Sequence, residues 1–287
     1  MKIKIFCIYH KPYHLFSSDA VEPIQTGCAE ATEDLKILRD DEGDNISHKN
    51  KNYGELSAWY WVWKNYLPKH PEIDYVGFCH YRRFLNFTPK KYKSNWNKVY
   101  FETFSKAFKK YYNLKNIRQF LNADIILPKI TKFRKVTLRE SYDRYHPTTD
   151  MVKMIEIVQK RHPQYHSLIL DTLNERQGYF CLNFIMKRPF FISFMEWVFP
   201  LLTELEKECD WSEYKEYENI RTPAYLMERF FNVWLNIQKV ECSPVISEMH
   251  SILLVNKPSL LKRLVIPFLF LIPKKKREAI KDNWYNQ

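Results

Sequence analysis

Residues 53–83 read YGELSAWYWVWKNYLPKHPEIDYVGFCHYRR, a helical pattern followed by a short apolar stretch that ends in basic residues. In the first half, large apolar side chains recur at the spacing of one helix face and predict a helix over residues 53–66, which ends before a proline. We expect Trp59 and Trp63 in the core and Trp61 on another side of the helix. Residues 74–79 (DYVGFC) predict a buried strand.

The same alternation of strands and helices continues on both sides of this stretch. Strands are predicted at residues 3–9, 124–127 and 178–186, and helices at 149–161, 167–174, 190–208 and 223–237. This order is typical of an α/β fold with a mainly parallel sheet flanked by helices. In such folds ligands bind at the carboxyl ends of the strands.

Composition narrows the functional classes. The 287 residues, of which 45% are hydrophobic, are enough for one large domain with a substantial core. The five glycines form no G-x-G, which argues against a dinucleotide-binding fingerprint or a glycine-rich phosphate loop. Aromatic residues make up 16% of the chain, a content compatible with a site that binds sugars or nucleobases.

Positive charge is concentrated in two zones. The net charge is +12, yet residues 81–139 contain sixteen Lys or Arg against two acids, and residues 257–287 contain eight against two. Two basic zones on an otherwise acidic body indicate an anionic partner, which can be a phosphate-bearing substrate, a nucleic acid or a membrane surface.

The cysteines and apolar runs indicate a reducing, cytoplasmic location. All six cysteines stand singly and form no C-x-x-C, so we expect neither a disulfide framework nor a zinc ribbon. The N-terminal residues do not resemble a signal peptide. The longest apolar run, residues 264–272, contains Pro267 and is far shorter than the roughly 20 residues of a spanning helix.

Three polar clusters follow predicted strands or lie in the loops beside them. They are residues 9–13, residues 40–45 and the tetrad His80, Tyr81, Arg82 and Arg83. Two adjacent arginines are costly to bury without anionic partners, and the planar guanidinium suits phosphate. We therefore interpret His80, Arg82 and Arg83 as a diphosphate clamp; the alternative is that they pair with the acids of residues 40–44.

Several of these segments together resemble a family of bacterial glycosyltransferases from capsular polysaccharide and O-antigen loci, formerly described only as a domain of unknown function. The segments are HKPY (10–13), DDEGDNIS (40–47), NYGELSAWYWVWKN (52–65), GFCHYRRFL (77–85), LNFIMKR (182–188) and RTPAYLMERFFNVWL (221–235). The resemblance spans residues 3 to about 234. It implies a GT-A-like fold and a nucleotide-sugar donor, which for some members is UDP-galactofuranose.

The resemblance also implies roles for individual residues. The side chains expected to bind the nucleotide sugar are His10, Lys11, Asp41, Asn45, His80, Arg82 and Arg83. Of these, His10 and Lys11 would lie near the nucleotide. Asp41 and Asn45, together with Asp44, would lie by the ribose or the sugar.

A transferase of this kind needs a general base that removes the proton of the attacking hydroxyl, and Asp or Glu is the usual choice. The candidates are Asp44, Glu55 and Glu228, and the sequence does not decide between them. The stereochemical outcome therefore also stays open. Asn183, a polar residue in an apolar strand, is a candidate for binding the acceptor.

Metal dependence has two alternatives. Many GT-A enzymes hold a divalent metal with an Asp-x-Asp, but this sequence has none, and His80, Arg82 and Arg83 occupy the matching place. The expectation is that no metal is required and that guanidinium and imidazole groups neutralise the leaving UDP. In the alternative, Asp41 and Asp44 coordinate Mg²⁺ or Mn²⁺.

The expected organisation is a catalytic domain over residues 1–256, with a basic, partly helical insertion at 84–122, and a basic amphipathic tail at 257–287. The basic segments predict peripheral attachment to the inner face of the anionic cell membrane, where a lipid-linked glycan would be the acceptor. No nucleic-acid motif is present. A nucleic-acid-binding protein and a non-catalytic scaffold of polysaccharide assembly are the alternative functions.

Overall fold

The computed structural model describes residues 1–211, 214 and 220–256, and a ten-stranded mixed sheet forms the centre of this part of the chain. The strands of the sheet are β1 (Ile3–Tyr9), β2 (Val21–Gln25), β3 (Leu38–Arg39), β4 (Tyr75–His80), β5 (Arg83–Leu85), β6 (Trp96–Tyr100), β7 (Ile125–Pro128), β10 (Phe184–Lys187), β11 (Ile246–Met249) and β12 (Ser251–Val255). Between β7 and β10 in the chain, β8 (Thr131–Lys132) and β9 (Gln177–Gly178) form a separate antiparallel pair.

The main sheet is mostly parallel. Its order is β11-β7-β10-β4-β1-β2-β3, and β5, β12 and β6 extend it from β4. Strands β4, β1, β2 and β3 are parallel neighbours, so they end at one edge of the sheet. Only β10, within the main order, runs antiparallel to both of its neighbours. The predicted α/β class with a mainly parallel sheet is confirmed.

Helices cover both faces of the sheet. They are α1 (Asn50–Tyr53), α2 (Leu56–Trp61, which continues as a π-helical segment Val62–Tyr66), α3 (Phe101–Tyr111), α4 (Leu114–Ile117), α5 (Leu138–Asp143), α6 (Thr148–Arg161), α7 (His166–Asn174), α8 (Arg188–Glu208) and α9 (Thr222–Glu241). Within the described part of the chain, none is long and apolar enough to cross a membrane.

Two hydrophobic layers result from the alternation of side chains along the strands. On β1, Phe6 and Ile8 point to the layer that α2, α6, α8 and α9 cover, whereas Ile5 and Cys7 point to the layer that α3 and α4 cover. Strands that are buried on both faces explain the nearly continuous apolar runs in the sequence.

Two predicted elements differ from the structure. The helix predicted over residues 53–66 is interrupted, because Gly54 has a positive φ of 56° and separates α1 from α2. The strand predicted over 178–186 begins only at Phe184. Before it, Cys181 has a φ of 50°, which is incompatible with a strand, and the chain forms a loop there.

The prediction for the tryptophans was wrong in part. Trp59 is fully buried as expected, but Trp61 is also buried, and its indole nitrogen donates to the carbonyl of Glu42 at 2.9 Å. Trp63 is only half-buried, with the Lys64 ammonium 3.6 Å from its ring centroid. The π-helical segment changes the angular spacing of the side chains after Trp61, so the regular helix period does not apply there.

The segment expected as an insertion, residues 84–122, joins the main sheet. It supplies β6, which pairs with β12, and α3, whose Phe104 and Phe108 pack in the same layer as the side chains of β1. The division at residue 256 stays a prediction, since the expected tail at 257–287 lies outside the described residues.

Candidate functional site

A cavity of about 870 Å³ lies at the carboxyl ends of β1, β2 and β4. Parallel strands bring their carboxyl ends to one edge, so the loops after them meet there. The residues after β1, β2 and β4 form one side of the cavity, and the start of α9 forms another. Five of the residues predicted to bind the nucleotide sugar line it together: His10, Lys11, His80, Arg82 and Arg83.

The residues after β4 are held rigidly. The amide of Tyr81 donates to the carbonyl of Ile8 at 3.0 Å, and the buried Tyr81 ring stacks on Tyr9 with centroids 5.6 Å apart. The guanidinium carbon of Arg82 lies 5.3 Å from the centroid of the Tyr81 ring. A cation over an aromatic face is stabilised, so this packing positions Arg82 at the cavity wall.

Two histidines from adjacent strands meet at the centre of this wall. The rings of His10 and His80 have centroids 5.7 Å apart. Nδ1 of His80 is buried and has no hydrogen-bond partner among the described residues. A buried polar atom without a partner is costly, so a ligand or a water that accepts or donates here would be stabilised.

Both imidazoles are neutral at pH 7. Desolvation and then the charges of Arg83, His10 and Arg82 hold the pKa of His80 well below its usual 6.5. The pKa of His10 is lowered to about 4, first by desolvation and then by Lys11, Arg221 and Arg82. The expectation that imidazole cations face the diphosphate is therefore corrected for the ligand-free site: its cations are Lys11 and the arginines, and the histidines are neutral hydrogen-bonding groups.

Helix α9 adds a half-buried carboxyl group to the cavity lining. Oε1 of Glu228 accepts a hydrogen bond from the amide of Cys181 at 2.9 Å, and its Oε2 lies 3.4 Å from the guanidinium of Arg229. Burial raises the pKa of Glu228; Arg229 opposes this rise and the charge of Glu55 adds to it. Glu228 and Glu55, both predicted candidates for the base, line the cavity.

Two other wall residues were not predicted. Arg221, immediately before α9, lines the cavity and lies 3.5 Å from the carboxylate of Glu55. Cys181 lines it from the loop before β10. No sequence pattern singled out Arg221, because the Thr-Pro that follows it indicates only the start of a helix.

The loop after β2 is anchored by Asp40, which is fully buried. Its carboxylate accepts hydrogen bonds from the amides of Gly27 and Cys28 at 2.9 and 3.0 Å, and from the hydroxyls of Ser47 and Ser57 at 2.5 and 2.7 Å. Every donor belongs to the protein itself. Asp40 therefore holds the loop whose residues, between 25 and 35, line the cavity. Both carboxylate oxygens of Asp40 are occupied by these donors.

The polar residues that follow Asp40 in the segment after β3 do not line the cavity. Asp41 binds the guanidinium of Arg39 through both of its oxygens, at 2.6 and 3.0 Å. Asp44 accepts from the hydroxyl of Tyr60 at 2.9 Å, and Asn45 donates to carbonyls of its own turn. The structure thus does not bring Asp41, Asp44 and Asn45 together with the cations, contrary to what the sequence suggested.

The contacts of Asp41 and Asp44 also argue against the alternative in which these residues coordinate a divalent metal. Because Asp41 is occupied by Arg39 and Asp44 by Tyr60, these carboxylates do not form a set of open oxygen ligands that would fit Mg²⁺ or Mn²⁺. Over residues 1–211, 214 and 220–256, no cluster of three or more His, Cys, Asp or Glu side chains could hold a metal ion.

Asn183 is buried just before β10 and is not part of the cavity wall. Its side-chain nitrogen has no hydrogen-bond partner among the described residues. The structure does not place it with the other predicted site residues.

Comparisons with known proteins agree with this fold. Among solved structures, the chain is similar to one described as the apo structure of the WbbM bifunctional glycosyltransferase, with a TM-score of 0.81 and 30% identity. The similarity covers 90% of this chain and 46% of the other, so this chain spans about half the length of that protein. No curated protein sequence matches.

The similarity identifies the fold as GT-A-like, as expected from the sequence. The sequence family described as "Domain of unknown function (DUF4422)" matches residues 4–239, which include every residue that lines the cavity. Because this match covers most of the chain, the protein belongs to the DUF4422 family.

Proposed function

We propose that the protein is a glycosyltransferase that transfers a hexose from a nucleotide sugar to a growing surface polysaccharide. The observation that carries the proposal is the cavity itself, which is lined both by cations from the residues after β1 and β4 and by the half-buried carboxyl group of Glu228. The similarity to a bifunctional glycosyltransferase supports the same reaction class.

The cations suit the leaving group. When the bond between the sugar and the nucleoside diphosphate breaks, negative charge develops on the diphosphate, and fixed cations stabilise it. Lys11, Arg82 and Arg83 are in place before the reaction. The neutral His10 and His80 can donate hydrogen bonds to phosphate oxygens, or gain a proton when the anion binds.

Glu228 fits the role of the general base. The attacking hydroxyl of the acceptor must lose a proton as its oxygen bonds to the anomeric carbon, and the diphosphate leaves with the electron pair of the broken bond. A carboxylate whose pKa is raised by burial accepts that proton more readily than an ordinary one. Its hydrogen bond from the amide of Cys181 fixes its orientation.

The donor and acceptor follow from the resemblance in sequence. We propose UDP-galactofuranose as the donor and a lipid-linked glycan as the acceptor. The cavity, at about 870 Å³, lies toward the upper end of the range of ligand sites, and it leaves room for an acceptor sugar beside a nucleotide sugar. Tyr225, half-exposed in the wall and stacked on His146 with centroids 4.3 Å apart, offers an aromatic face to a sugar or base.

Attachment to an anionic membrane at the inner face of the cell membrane is part of the proposal. Residues 90–118 contain nine Lys or Arg and a single acid, Glu102. Lys106, Lys109 and Lys110 are exposed on α3, and Tyr100 beside it is also exposed. Lysines with neighbouring aromatic rings are typical of surfaces that bind anionic lipid.

The direct test of function is to titrate nucleotide sugars and to measure release of the nucleoside diphosphate when a glycan acceptor is added. We expect binding of a UDP-sugar that persists in EDTA, and release that depends on the acceptor. Arg82→Ala with Arg83→Ala should abolish turnover. A protein that binds none of the nucleotide sugars, with or without Mn²⁺, would not be a transferase of this kind.

A further inference from the structure

The start of α9 and the junction between α1 and α2 are tied together beside the cavity. The side-chain amide of Asn52 donates to the carbonyl of Ile220 at 2.8 Å, and that of Asn50 donates to the carbonyl of Gly54 at 2.6 Å. These bonds hold Gly54 directly against Arg221, whose side chain lines the cavity.

Gly54 is required for this approach. Its φ of 56° with a ψ of −132° is a conformation that is essentially restricted to glycine. A Cβ at this position would lie 2.2 Å from Nη2 of Arg221, which is far inside van der Waals contact. The backbone at residue 54 therefore leaves a space that the guanidinium of Arg221 fills.

Glu55 follows in the same junction and lies against the same guanidinium. Its Oε2 is 3.5 Å from Nη2 of Arg221, and both side chains are about one quarter exposed. A partly exposed pair at this distance contributes little to stability. It does restrict the positions that the guanidinium can take.

We propose that Arg221 binds the diphosphate of the donor and that Glu55 is a positioning residue for Arg221 rather than the general base. This inference rests on the proposed function. It extends the group of cations beyond the residues after β1 and β4, and it assigns the Gly-Glu pair at 54–55 to holding an arginine at the cavity wall.

The electrostatic environment supports this geometry. The charge of Arg221 contributes to the lowered pKa of both His10 and His80. The guanidinium therefore lies close enough to the residues after β1 and β4 to interact with them. A nucleoside diphosphate carries more than one negative charge, and a planar guanidinium can donate two parallel hydrogen bonds to it. A cation immediately before α9 would add a further contact to a diphosphate that the residues after β1 and β4 bind.

The experiment measures binding of inorganic pyrophosphate and of UDP to the full chain by titration calorimetry, which requires neither the donor sugar nor the acceptor. Arg221→Gln should weaken both by about ten- to a hundredfold, because a charge-assisted hydrogen bond is lost. Arg221→Lys should keep part of the affinity. Gly54→Ala should weaken binding although Arg221 is still present, since the added methyl group displaces its guanidinium.

Arg39→Gln is the matched control. Arg39 is also a partly exposed arginine paired with a carboxylate, but it does not line the cavity. This variant should bind pyrophosphate as the unaltered protein does. Thermal unfolding identifies a variant that fails to fold, and if Gly54→Ala is one, the two substitutions of Arg221 decide the question.

A measurement of turnover distinguishes whether Glu55 positions Arg221 or acts as the general base. Glu55→Gln should keep more than about a tenth of the rate of transfer and leave the acidic limb of the pH profile where it is, because another group takes the proton. A loss of more than a hundredfold with unchanged pyrophosphate affinity would make Glu55 the base and overturn its assignment. Equal pyrophosphate affinity of Arg221→Gln and the unaltered protein would overturn the role of Arg221 alone. An unaltered protein that binds neither pyrophosphate nor UDP would overturn the proposed function as well.

Discussion

The ionisable side chains in the cavity differ in whether they stay charged when they are buried. Arginines stay charged in nearly any environment, whereas imidazole and carboxyl groups become neutral when desolvation outweighs their partners. At neutral pH the site therefore combines arginine cations with the neutral His80, and with Glu228, whose proton affinity is raised. Neighbouring groups whose pKa values are shifted from the usual range are typical of sites where a proton is transferred.

The first prediction concerns Glu228. Glu228→Gln keeps an oxygen that can accept from the amide of Cys181 but removes the proton acceptor, so transfer should fall by about a hundredfold or more while UDP affinity changes little. In the unaltered protein, kcat should fall on acidification at a pH above the usual carboxyl range, because the pKa of Glu228 is raised. The exposed Glu196→Gln is the control. Unchanged turnover of Glu228→Gln would exclude Glu228 as the base.

The second prediction concerns His80 and stability. Its pKa is lowered in the folded state, so the unfolded chain binds a proton near pH 6.5 that the folded protein does not bind. The free energy of unfolding should therefore fall as the pH drops below about 6.5, with a contribution from His80 of at most about 1.4 kcal/mol per pH unit. His80→Gln should flatten this slope in urea denaturation between pH 7 and 5. An unchanged slope in His80→Gln would contradict the prediction.

At the level of elements, the cavity depends on how loops are fixed to the sheet. The loop after β2 has little regular structure, yet the buried carboxylate of Asp40 gathers amide and hydroxyl donors from three separate parts of the chain. Removal of an acceptor from such a cluster leaves several buried donors without partners, which is far more costly than the loss of a surface ion pair.

The third prediction compares Asp40 with its neighbour Asp41, both of which follow β3. Asp40→Ala should lower the free energy of unfolding by about 3 kcal/mol or more and weaken UDP binding, since the loop it anchors lines the cavity. Asp41→Ala removes a partly exposed pair with Arg39 and should cost less than about 1 kcal/mol. Urea denaturation measures both. If the two variants are equally stable, Asp40 does not anchor the loop.

At the scale of the whole molecule, the fold separates two regions of positive charge. One lies inside the cavity and the other on the exposed side of α3 and the loop before β6, where no residue of the cavity wall is found. The two can therefore act on different anions, one on a nucleotide and the other on a surface.

The fourth prediction tests the outer region. Lys106→Glu, Lys109→Glu and Lys110→Glu together should reduce sedimentation of the full chain with vesicles that contain phosphatidylserine, because each lysine near such a surface contributes about 1 kcal/mol. Binding of the unaltered protein should weaken as salt increases. UDP affinity of the triple variant should be unchanged. Equal sedimentation of both proteins would show that α3 is not the membrane-binding surface.

Local sequence patterns were sufficient to predict the layered fold and the site residues that follow β1 and β4. Apolar runs with the period of strands or helices predicted β1, β4, β7 and the helices α6 to α9 to within a few residues, because that periodicity follows from burial on one or both faces. His10 and His80 were correctly placed together, since adjacent parallel strands end at one edge. Periodicity does not show backbone strain, so the break at Gly54 and the loop at Cys181 were missed.

The sequence by itself determined the α/β class, the parallel strands and the basic residues at their carboxyl ends, because each depends on neighbours in the chain. Tertiary structure alone decided which charges share the cavity. It brings Arg221 and Glu228 to the cavity that the residues after β1 and β4 line, and it keeps Asp41 and Asp44 outside the cavity, in contact with nearby side chains. The physical reason is that a charged group is stabilised by whichever partners the folded chain brings within a few ångströms, and those partners lie far away in sequence.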